Sequence, residues 1–340
     1  MNDADFLAHG AKLTIDLGAL ADNWRIMRAR AGGAECGAVV KANAYGIGIE
    51  KAVPALAAAG CRTFFVAHLS EAERARNALA DSDAAIYVLN GFPIGAASAY
   101  RAIDARPVLG SIEEAQEWAA EGGGAPAALH IDTGMNRLGF ALAAINQPKV
   151  AAALAAINID LVMSHFVASE IADDPVNALQ IARFKDVMSC FPDKRHSLLN
   201  SSGHFLDGAP TGHLTRPGYG LYGGNPTPGL PNPMKPVIGL AAHIIALSEV
   251  GDGEPAGYNG KWIAKGRRRL ATLSIGYADG IPRNAGGITD WAGGAALVGG
   301  VPCPFVGTVS MDLIIIDVTD APAGSVKRGA AATIVGGPLT

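Results

Sequence analysis

The sequence predicts a (β/α)8 TIM barrel followed by a mainly antiparallel β domain. Eight short apolar runs, rich in Val, Ile, Leu and Phe, alternate with helix-compatible segments in the first two thirds of the chain. Continuous apolar character is typical of parallel strands that are buried on both faces. A doubly wound sheet is the competing architecture, but eight alternating units favour closure into a barrel. The runs are Gly37–Lys41, Thr63–Ala67, Ala85–Leu89, Pro107–Leu109, Ala128–Asp132, Leu161–His165, Ser197–Asn200 and Arg216–Leu221.

The segments between these runs carry signals for the starts of helices. Ser70 through Glu73 resembles an N-terminal cap, and Ser111 through Glu114 has the spacing of a capping box. Helices between buried strands are what a parallel barrel requires.

A segment rich in Gly, Pro and Asn, residues 223–233, marks the end of the predicted barrel domain, which spans residues 18–233. From residue 234 to residue 340 the pattern changes to short strands separated by Gly-rich turns, which indicates an antiparallel β domain. Residues 1–11 are interpreted as an N-terminal tail, and residues 12–17 are a candidate strand of the β domain. The strands predicted after the boundary are Val237–Val250, Leu270–Ile275, Ala295–Val298 and Leu313–Val318.

Composition excludes several classes of function. The chain has 340 residues, of which 49% are apolar and 17% charged, so it can bury a sizeable core. Its net charge of −4 argues against a nucleic-acid or membrane-surface binder. Four scattered cysteines predict neither disulfides nor a metal site, and the acidic N-terminus lacks the pattern of an export signal. No apolar run approaches the roughly 20 residues of a membrane span, so we expect a soluble cytoplasmic protein.

Lys41 is a cation at the end of an apolar run, where barrel enzymes place their active sites. Burial penalises the charged ammonium group, so this amine is a candidate nucleophile that forms a Schiff base with an aldehyde. A lysine that merely extends its amine into solvent is the alternative. Arg137, His165 and Arg216 also follow predicted strands, and together these cations suit an anionic ligand.

The loops after the seventh and eighth strands have the composition of a phosphate site. Ser201 and Ser202 supply hydroxyl groups, while Gly203 and Gly218 leave backbone N–H groups accessible. A phosphate site combined with a strand-end lysine points to pyridoxal 5'-phosphate as the cofactor. The alternative is that Asn-Ser-Ser-Gly forms an ordinary turn.

Further side chains are candidates for the same chemistry. An arginine at position 216, hydrogen-bonded to the pyridine nitrogen, would keep that nitrogen unprotonated, which suits racemisation and discourages transamination. His165 could stack on the cofactor or be an ordinary core residue. Arg137 could bind a substrate carboxylate or pair with Asp132. Tyr277, between small residues in the β domain, could be an accessible phenol or a packed strand-end tyrosine.

Several motifs, in matching order and spacing, resemble those of the bacterial alanine racemases, and the similarity covers nearly the whole chain. The resemblance implies a fold-type III enzyme that interconverts L-alanine and D-alanine and supplies D-alanine for peptidoglycan. It also implies a head-to-tail homodimer whose active site is shared between subunits. The motifs are Val39–Gly46, His130–Gly139, Met163–Phe166, Arg216–Gly218, Gly276–Gly280 and Gly307–Asp312.

The resemblance also implies a role for each site residue. Lys41 would hold the cofactor and act as the base on D-alanine, and Tyr277 from the partner subunit would be the base on L-alanine. Arg137 and the backbone of the partner subunit's Met311 would bind the substrate carboxylate. The remaining cofactor ligands would be Tyr45, Ser201, Gly218 and Tyr219 at the phosphate, Arg216 at the ring nitrogen and His165 against the ring.

Two departures from the family pattern stand out. His130 occupies a position where the family often has a carbamylated lysine that orients the arginine, so Arg137 is expected to be held otherwise. No tyrosine follows Tyr277, although family members usually carry one in a tail that binds the phosphate. The apolar run Ala330–Val335 resembles an interrupted domain, so either the chain is cut short or its phosphate site is unusually open. A racemase of broader specificity, acting on serine or other amino acids, and a fold-type III decarboxylase are the alternative functions.

Overall fold

The computed structural model describes residues 9–80 and 82–336, which form two compact units. One unit comprises residues 16–235, and the other combines residues 9–15 with residues 236–336. Most of the predicted N-terminal tail, and the four residues that end the chain, lie outside the described residues. The expectation of an interrupted C-terminal domain therefore also concerns residues outside the described range.

The larger unit is built on parallel strands, as the sequence predicts for a barrel. The strands of this unit are β2 Glu35–Cys36, β3 Ala38–Val39, β4 Thr63–Val66, β5 Ala85–Val88, β6 Ala105–Leu109, β7 Pro126–Asp132, β8 Phe140–Ala141, β9 Asn158–Met163, β10 Arg195–Ser197 and β11 Leu214–Thr215. The strands of the main sheet are hydrogen-bonded in the order β10, β9, β7, β6, β5, β4 and β3. The short β8 pairs with β7.

Backbone hydrogen bonds close the sheet into a barrel. On one side, β11 pairs in parallel with β2, which runs directly into β3. On the other side, the His213 N–H donates to the His196 C=O in β10 at 2.8 Å. The Arg216 N–H donates to the Leu199 C=O, just after β10, also at 2.8 Å. Apolar side chains from these strands, among them Phe65 of β4, fill the interior, because both faces of a parallel strand are buried.

The seventh and eighth predicted strands differ most from the structure. β10 stops at Ser197, and β11 consists of Leu214–Thr215 instead of the predicted Arg216–Leu221. The ladder ends soon after β11. The Pro217 C=O still accepts from the Val39 N–H at 2.9 Å, but Pro217 has no N–H group to donate and Gly218 turns the chain, with φ −128° and ψ −98°. Residues Tyr219–Tyr222 form a short 3-10 turn. Arg216 and Gly218 therefore lie in a loop beyond the strand.

Among the described residues of the larger unit, seven segments form right-handed α-helices, and their caps explain where several begin. The Ser111 side chain accepts a hydrogen bond from the N–H of Glu114 at 3.2 Å, which confirms the predicted cap. The cap predicted at Ser70 is wrong by two residues, because the helix begins at Leu69 and His68 is its N-cap. The helices are α1 Leu17–Arg30, α2 Ile49–Ala59, α3 Leu69–Leu79, α4 Ala97–Ala102, α5 Ile112–Glu121, α6 Pro148–Ala155 and α7 Pro175–Cys190. Within the described ranges, none of the helices is both long enough and apolar enough to cross a bilayer.

The smaller unit is a closed antiparallel barrel. Its strands are neighbours in the order β1, β12, β15, β18, β17, β16 and β19, and β19 also pairs with β12. The first strand is one residue offset from its predicted start and ends two residues early, because Asp16 already caps α1 through a hydrogen bond from the N–H of Ala19 at 2.8 Å. The strands are β1 Ala11–Ile15, β12 Ile238–Val250, β13 Pro255–Ala256, β14 Trp262–Ile263, β15 Arg268–Leu273, β16 Ala295–Val298, β17 Val301–Val306, β18 Ile314–Asp317 and β19 Ala331–Val335.

Candidate active site

A cavity of about 580 Å³ lies at the carboxyl ends of the parallel strands in the larger unit. Eight of the ten residues predicted for the site line it, although they come from five separate segments of the chain. The carboxyl ends of barrel strands converge, so residues distant in sequence meet there. The cavity is lined by Val39, Lys41, Tyr45, Leu89, Asn90, His130, Arg137, Leu138, Met163, His165, Asn200, Ser201, Arg216, Gly218 and Tyr219.

Lys41 follows β3 and is half-buried at the cavity wall. Burial, reinforced by the positive charge of Arg137, lowers the pKa of its amine, and the carboxylate of Glu71 opposes this shift. A lowered pKa increases the neutral, nucleophilic fraction of an amine at neutral pH. The environment of Lys41 therefore suits covalent attachment of a carbonyl compound better than simple exposure to solvent.

Ser201 and Gly218 form a cradle whose free donor is the Ser201 hydroxyl. The expectation of accessible N–H groups at Gly203 and Gly218 is wrong, because the Gly203 N–H donates to Asn200 Oδ1 at 2.9 Å and the Gly218 N–H donates to Ser201. Ser201 is 1% exposed, and its Oγ accepts hydrogen bonds from the N–H groups of Gly218 at 2.9 Å and Gly220 at 3.1 Å. Its own O–H has no acceptor among the described residues. A Cβ atom on Gly218 would lie 2.5 Å from the Tyr45 hydroxyl, so any larger residue here would have to displace the Tyr45 side chain. Nearby, the hydroxyls of Ser202 and Tyr219 are 2.7 Å apart.

Arg216 is 3% exposed and has no acidic partner among the described residues. Its guanidinium donates to the Ser197 hydroxyl and to the Ser164 C=O, both of which are neutral. Burial lowers the pKa of Arg216 from its ordinary range. A guanidinium has five N–H donors, so this residue can still serve a neutral acceptor in the cavity, such as an unprotonated pyridine nitrogen.

Two histidines in the cavity wall are uncharged at neutral pH. Burial, with the charge of Arg216 nearby, lowers the pKa of His165 to about 3 and that of His130 to about 4. The backbone of His165 is fixed by Gln180, whose Nε2 donates to the His165 C=O at 2.9 Å. The Oε1 of the same Gln180 accepts from the N–H of Val167 at 2.8 Å. Because its imidazole is neutral, His130 contributes no negative charge that could hold the guanidinium of Arg137.

Arg137 is exposed and makes no ion pair with any described residue. The alternative that it pairs with Asp132 is wrong, because backbone groups already occupy that carboxylate. Asp132 Oδ1 accepts from the N–H groups of Gly134 and Met135, and its Oδ2 accepts from that of Asn136, all at 2.8 Å. Asp132 thus shapes the loop that presents Arg137, and leaves the guanidinium available to an anion.

The other two predicted residues, Tyr277 and Met311, meet in the smaller unit. The N–H of Tyr277 donates to the Ser310 C=O at 3.0 Å, and that of Ala278 donates to the Met311 C=O at 2.8 Å. Both side chains are accessible, with exposures of 39% for Tyr277 and 58% for Met311. Tyr277 is therefore a presented phenol, in agreement with the first of the two interpretations of its sequence context.

Several residues that shape the cavity were not predicted as site residues from the sequence. Gln180 lies on α7, and Glu71 lies on α3, far along the chain from the loops that they bind. Tyr222 stacks on Tyr45 with ring centroids 4.4 Å apart. Ser164 and Ser197 accept the hydrogen bonds of Arg216. The adjacency of Ser164 to His165 was the one available signal; the other contacts arise only when the barrel forms.

Comparison with known proteins identifies the family. The model of the alanine racemase N-terminal domain matches residues 15–226, and that of the C-terminal domain matches residues 237–340. The chain is 57% identical over 337 residues to the alanine racemase of Methylobacterium nodulans, which covers 98% of this chain and 89% of that protein. It is 41% identical over 330 residues to a biosynthetic alanine racemase of Agrobacterium fabrum, covering 94% of this chain and 83% of that one.

Solved structures show the same fold. The crystal structure of alanine racemase from Bartonella henselae, with covalently bound pyridoxal phosphate, superimposes with a TM-score of 0.87 at 36% identity. That comparison covers 96% of this chain and 91% of the Bartonella chain. The biosynthetic enzyme of Pseudomonas aeruginosa gives a TM-score of 0.86 at 31% identity, over 98% of this chain and 92% of that one. With a TIM barrel followed by a β domain and both family models matched, this chain belongs to the alanine racemase family.

Proposed function

We propose that this chain interconverts L-alanine and D-alanine with pyridoxal 5'-phosphate, using Lys41 and Tyr277 as its two proton carriers. The observation that carries the proposal is the convergence of eight predicted residues on one cavity. Membership of the alanine racemase family, at up to 57% identity, supports the reaction and the cofactor.

The cavity fits pyridoxal phosphate on the evidence of its own donors. Ser201 has an unused O–H beside the close backbone approach at Gly218, where a phosphate oxygen would be bound. Lys41 would hold the cofactor covalently, with Tyr45 and Tyr219 also at the phosphate. Arg216 would donate to the ring nitrogen, and His165 would lie against the ring. When bound, the cofactor withdraws electrons from the substrate's Cα and thereby acidifies its proton.

Protons at Cα are moved by this chain's own groups. The lowered pKa of Lys41 leaves a neutral amine that can accept a proton, and its attachment beside the cavity places it on one face of the substrate. Tyr277 is the second carrier, for the opposite face. Arg216 keeps its N–H groups, so it would donate to the ring nitrogen of a bound cofactor, which would then be a weaker electron acceptor. A weaker electron acceptor favours racemisation over transamination.

Arg137 binds the substrate carboxylate in this proposal. Its guanidinium is exposed at the cavity and has no acidic partner within the described residues, so a carboxylate can engage it in two parallel hydrogen bonds. The backbone of Met311 supplies a further donor from the β domain.

Exchange of the Cα proton tests the reaction directly. In deuterated water with pyridoxal phosphate, the purified protein is expected to exchange the Cα proton of L-alanine and to produce D-alanine. Serine and larger amino acids, assayed in parallel, distinguish a broader racemase. Carbon dioxide release without exchange of the remaining substrate would indicate a decarboxylase instead.

The proposal extends to a homodimer that works in the cytoplasm and supplies D-alanine for peptidoglycan. Residues 18–233 act as the cofactor-binding domain, and residues 234–340 supply Tyr277 and Met311 to the partner's active site. The support is the exposure of these two side chains in one chain, together with the family relationship. Isologous dimers place two identical sites, each built from both chains, about a twofold axis.

Co-expression of two inactive variants tests whether the site is shared. A heterodimer of Lys41→Ala and Tyr277→Phe chains contains one site with both changes and one unchanged site. Random assembly is therefore expected to restore about one quarter of the unmodified activity, since half of the dimers carry one intact site of two. Activity no greater than that of either variant alone would show that each chain completes its own site. Two copies of the Lys41→Ala chain serve as the control.

A further inference from the structure

The residues that follow Lys41 adopt an unfavourable backbone conformation. Ala42, Asn43, Ala44 and Tyr45 have φ angles of 52°, 56°, 55° and 53°. Together they form a left-handed turn without any glycine, although L-residues other than glycine rarely adopt such a conformation, and almost never in succession. Such strain persists only where surrounding contacts enforce it, and it is frequent at functional sites.

Hydrogen bonds inside the turn account for part of its persistence. The N–H of Gly46 donates to the C=O groups of Ala42 at 2.9 Å and Asn43 at 3.1 Å. The N–H of Gly48 donates to the Asn43 C=O at 2.9 Å. These bonds satisfy the backbone, but an ordinary right-handed turn would satisfy it equally well. The hand of the turn must therefore be set by contacts from outside it.

Asn43 makes those outside contacts. Its backbone N–H donates to Glu71 Oε1 at 2.9 Å. Its side-chain Oδ1 accepts from the N–H of Ile49 at 3.2 Å and from Arg74 Nη2 at 2.6 Å. Asn43 is thus fastened both to α3 and to the first residue of α2. Asparagine also tolerates the left-handed conformation better than most residues, which suits it to this position.

The two oxygens of the Glu71 carboxylate accept hydrogen bonds from different segments of the chain. Oε2 accepts from the N–H of Ala67 at 2.8 Å and from that of His68 at 3.4 Å, which is an ordinary cap for α3. Capping leaves Oε1 free, and this oxygen reaches across to Asn43. The second contact adds nothing to α3. Its effect is on the turn between Lys41 and Tyr45.

The turn links the two proposed cofactor contacts at its ends. Lys41 precedes it, and Tyr45 is its last left-handed residue, packed on Tyr222 with the ring centroids 4.4 Å apart. The Tyr222 hydroxyl donates to the Val39 C=O at 3.0 Å, which ties this stack to β3. A change of hand would move Lys41 and Tyr45 relative to each other.

We propose that Glu71 and Asn43 are positioning residues that hold the left-handed turn, so that Lys41 and Tyr45 face the same cavity at a fixed separation. The inference rests on the proposed function, because it assumes that Lys41 attaches the cofactor and that Tyr45 contacts its phosphate. Neither positioning residue touches the reacting atoms. Their loss is therefore expected to loosen the hold on the cofactor before it alters the fold.

Release of the cofactor measures this hold without reference to turnover. Holoenzyme is diluted, and the loss of visible absorption from the bound cofactor is followed after removal of the free cofactor by ultrafiltration. Asn43→Gly keeps the left-handed conformation accessible but removes Oδ1. Glu71→Ala removes both the contact with the turn and the cap of α3. Each is expected to release cofactor about tenfold faster, as the loss of one or two hydrogen bonds predicts. Asn43→Asp retains the acceptor and is expected to release cofactor at nearly the original rate.

A matched control separates positioning from general destabilisation. Glu73 lies on the same helix, is exposed, and makes no contact with the turn, so Glu73→Ala removes a carboxylate without affecting the turn. If Asn43→Gly releases the cofactor as slowly as Glu73→Ala does, or if Asn43→Asp is as impaired as Asn43→Gly, the inference is wrong. Should Glu71→Ala fail to fold, the two Asn43 variants decide the matter alone.

The position of the cofactor label in the unmodified protein separates a failure of the proposed function from a failure of this inference. Borohydride reduction followed by peptide mapping is expected to find the cofactor on Lys41. A label on another lysine would overturn the proposed function, and the inference with it. A label on Lys41 combined with unchanged release from the Asn43 and Glu71 variants would overturn the inference alone.

Discussion

Lys41→Ala is expected to lower the racemisation rate by at least about 10⁴-fold, the upper end of the range for one general acid or base. The effect is large because one side chain has two roles, as the covalent attachment and as a proton carrier. Its half-buried position and lowered pKa suit both roles. Racemisation of alanine in both directions, followed by a chiral assay, measures the loss, and borohydride reduction shows whether the cofactor is still fixed to the chain.

Lys51→Ala is the matched control for this change. Lys51 is exposed on α2, and its removal takes away the same charge without altering the cavity. Racemisation by this control is expected to match that of the unmodified protein. Covalent labelling of the Lys41→Ala protein by borohydride, at a level equal to that of the control, would mean that another amine attaches the cofactor.

Tyr277→Phe is expected to slow racemisation by about 10²- to 10⁴-fold while leaving the cofactor bound. Both directions slow equally, because the two enantiomers have equal free energies and interconvert through the same proton transfers. The substitution keeps the aromatic ring and removes only the hydroxyl that carries the proton. The backbone bonds that link residues 277 and 278 to Ser310 and Met311 do not involve the side chain, so the loop is expected to persist. Exchange of the Cα proton, started separately from each alanine enantiomer, shows which enantiomer has lost its base: exchange from L-alanine is expected to be lost, and exchange from D-alanine, through Lys41, is expected to persist.

Tyr258→Phe provides the control in the same unit. Tyr258 is 61% exposed, so this substitution removes the same kind of hydroxyl from the protein surface. It is expected to retain full activity in both directions. If Tyr277→Phe instead loses visible cofactor absorption together with activity, the tyrosine is structural and is not a proton carrier. Equal exchange from both enantiomers at the unmodified rate would also exclude the assigned role.

Local patterns were sufficient to predict most of the architecture. Seven of the eight apolar runs overlap parallel strands, because a strand buried on both faces needs continuous apolar sequence, wherever its neighbours lie. The ends of elements were predicted less well. The run beginning at Arg216 is apolar enough for a strand, but Pro217 and Gly218 end the ladder and turn the chain into the loop that lines the cavity.

The candidate site followed from the strand ends for a similar reason. Once a barrel is predicted, the carboxyl ends of its strands must meet, so Lys41, Arg137, His165 and Arg216 could be grouped without any coordinates. The sequence left open whether Arg137 pairs with Asp132. The structure answers this through hydrogen bonds of the Asp132 carboxylate to three backbone N–H groups, which depend on the conformation of the loop.

The sequence by itself determined the fold class, the family and the residue types at the reaction centre, because each of these follows from patterns that neighbouring residues carry. The tertiary structure alone decided how those residues are held. Glu71 meets Asn43, Gln180 meets His165, and Arg216 lies among neutral partners, only because the closed barrel brings distant segments together. A left-handed turn of four residues after Lys41 opposes local preference, so no local pattern could predict it. Contacts with α3 and with the start of α2 stabilise it.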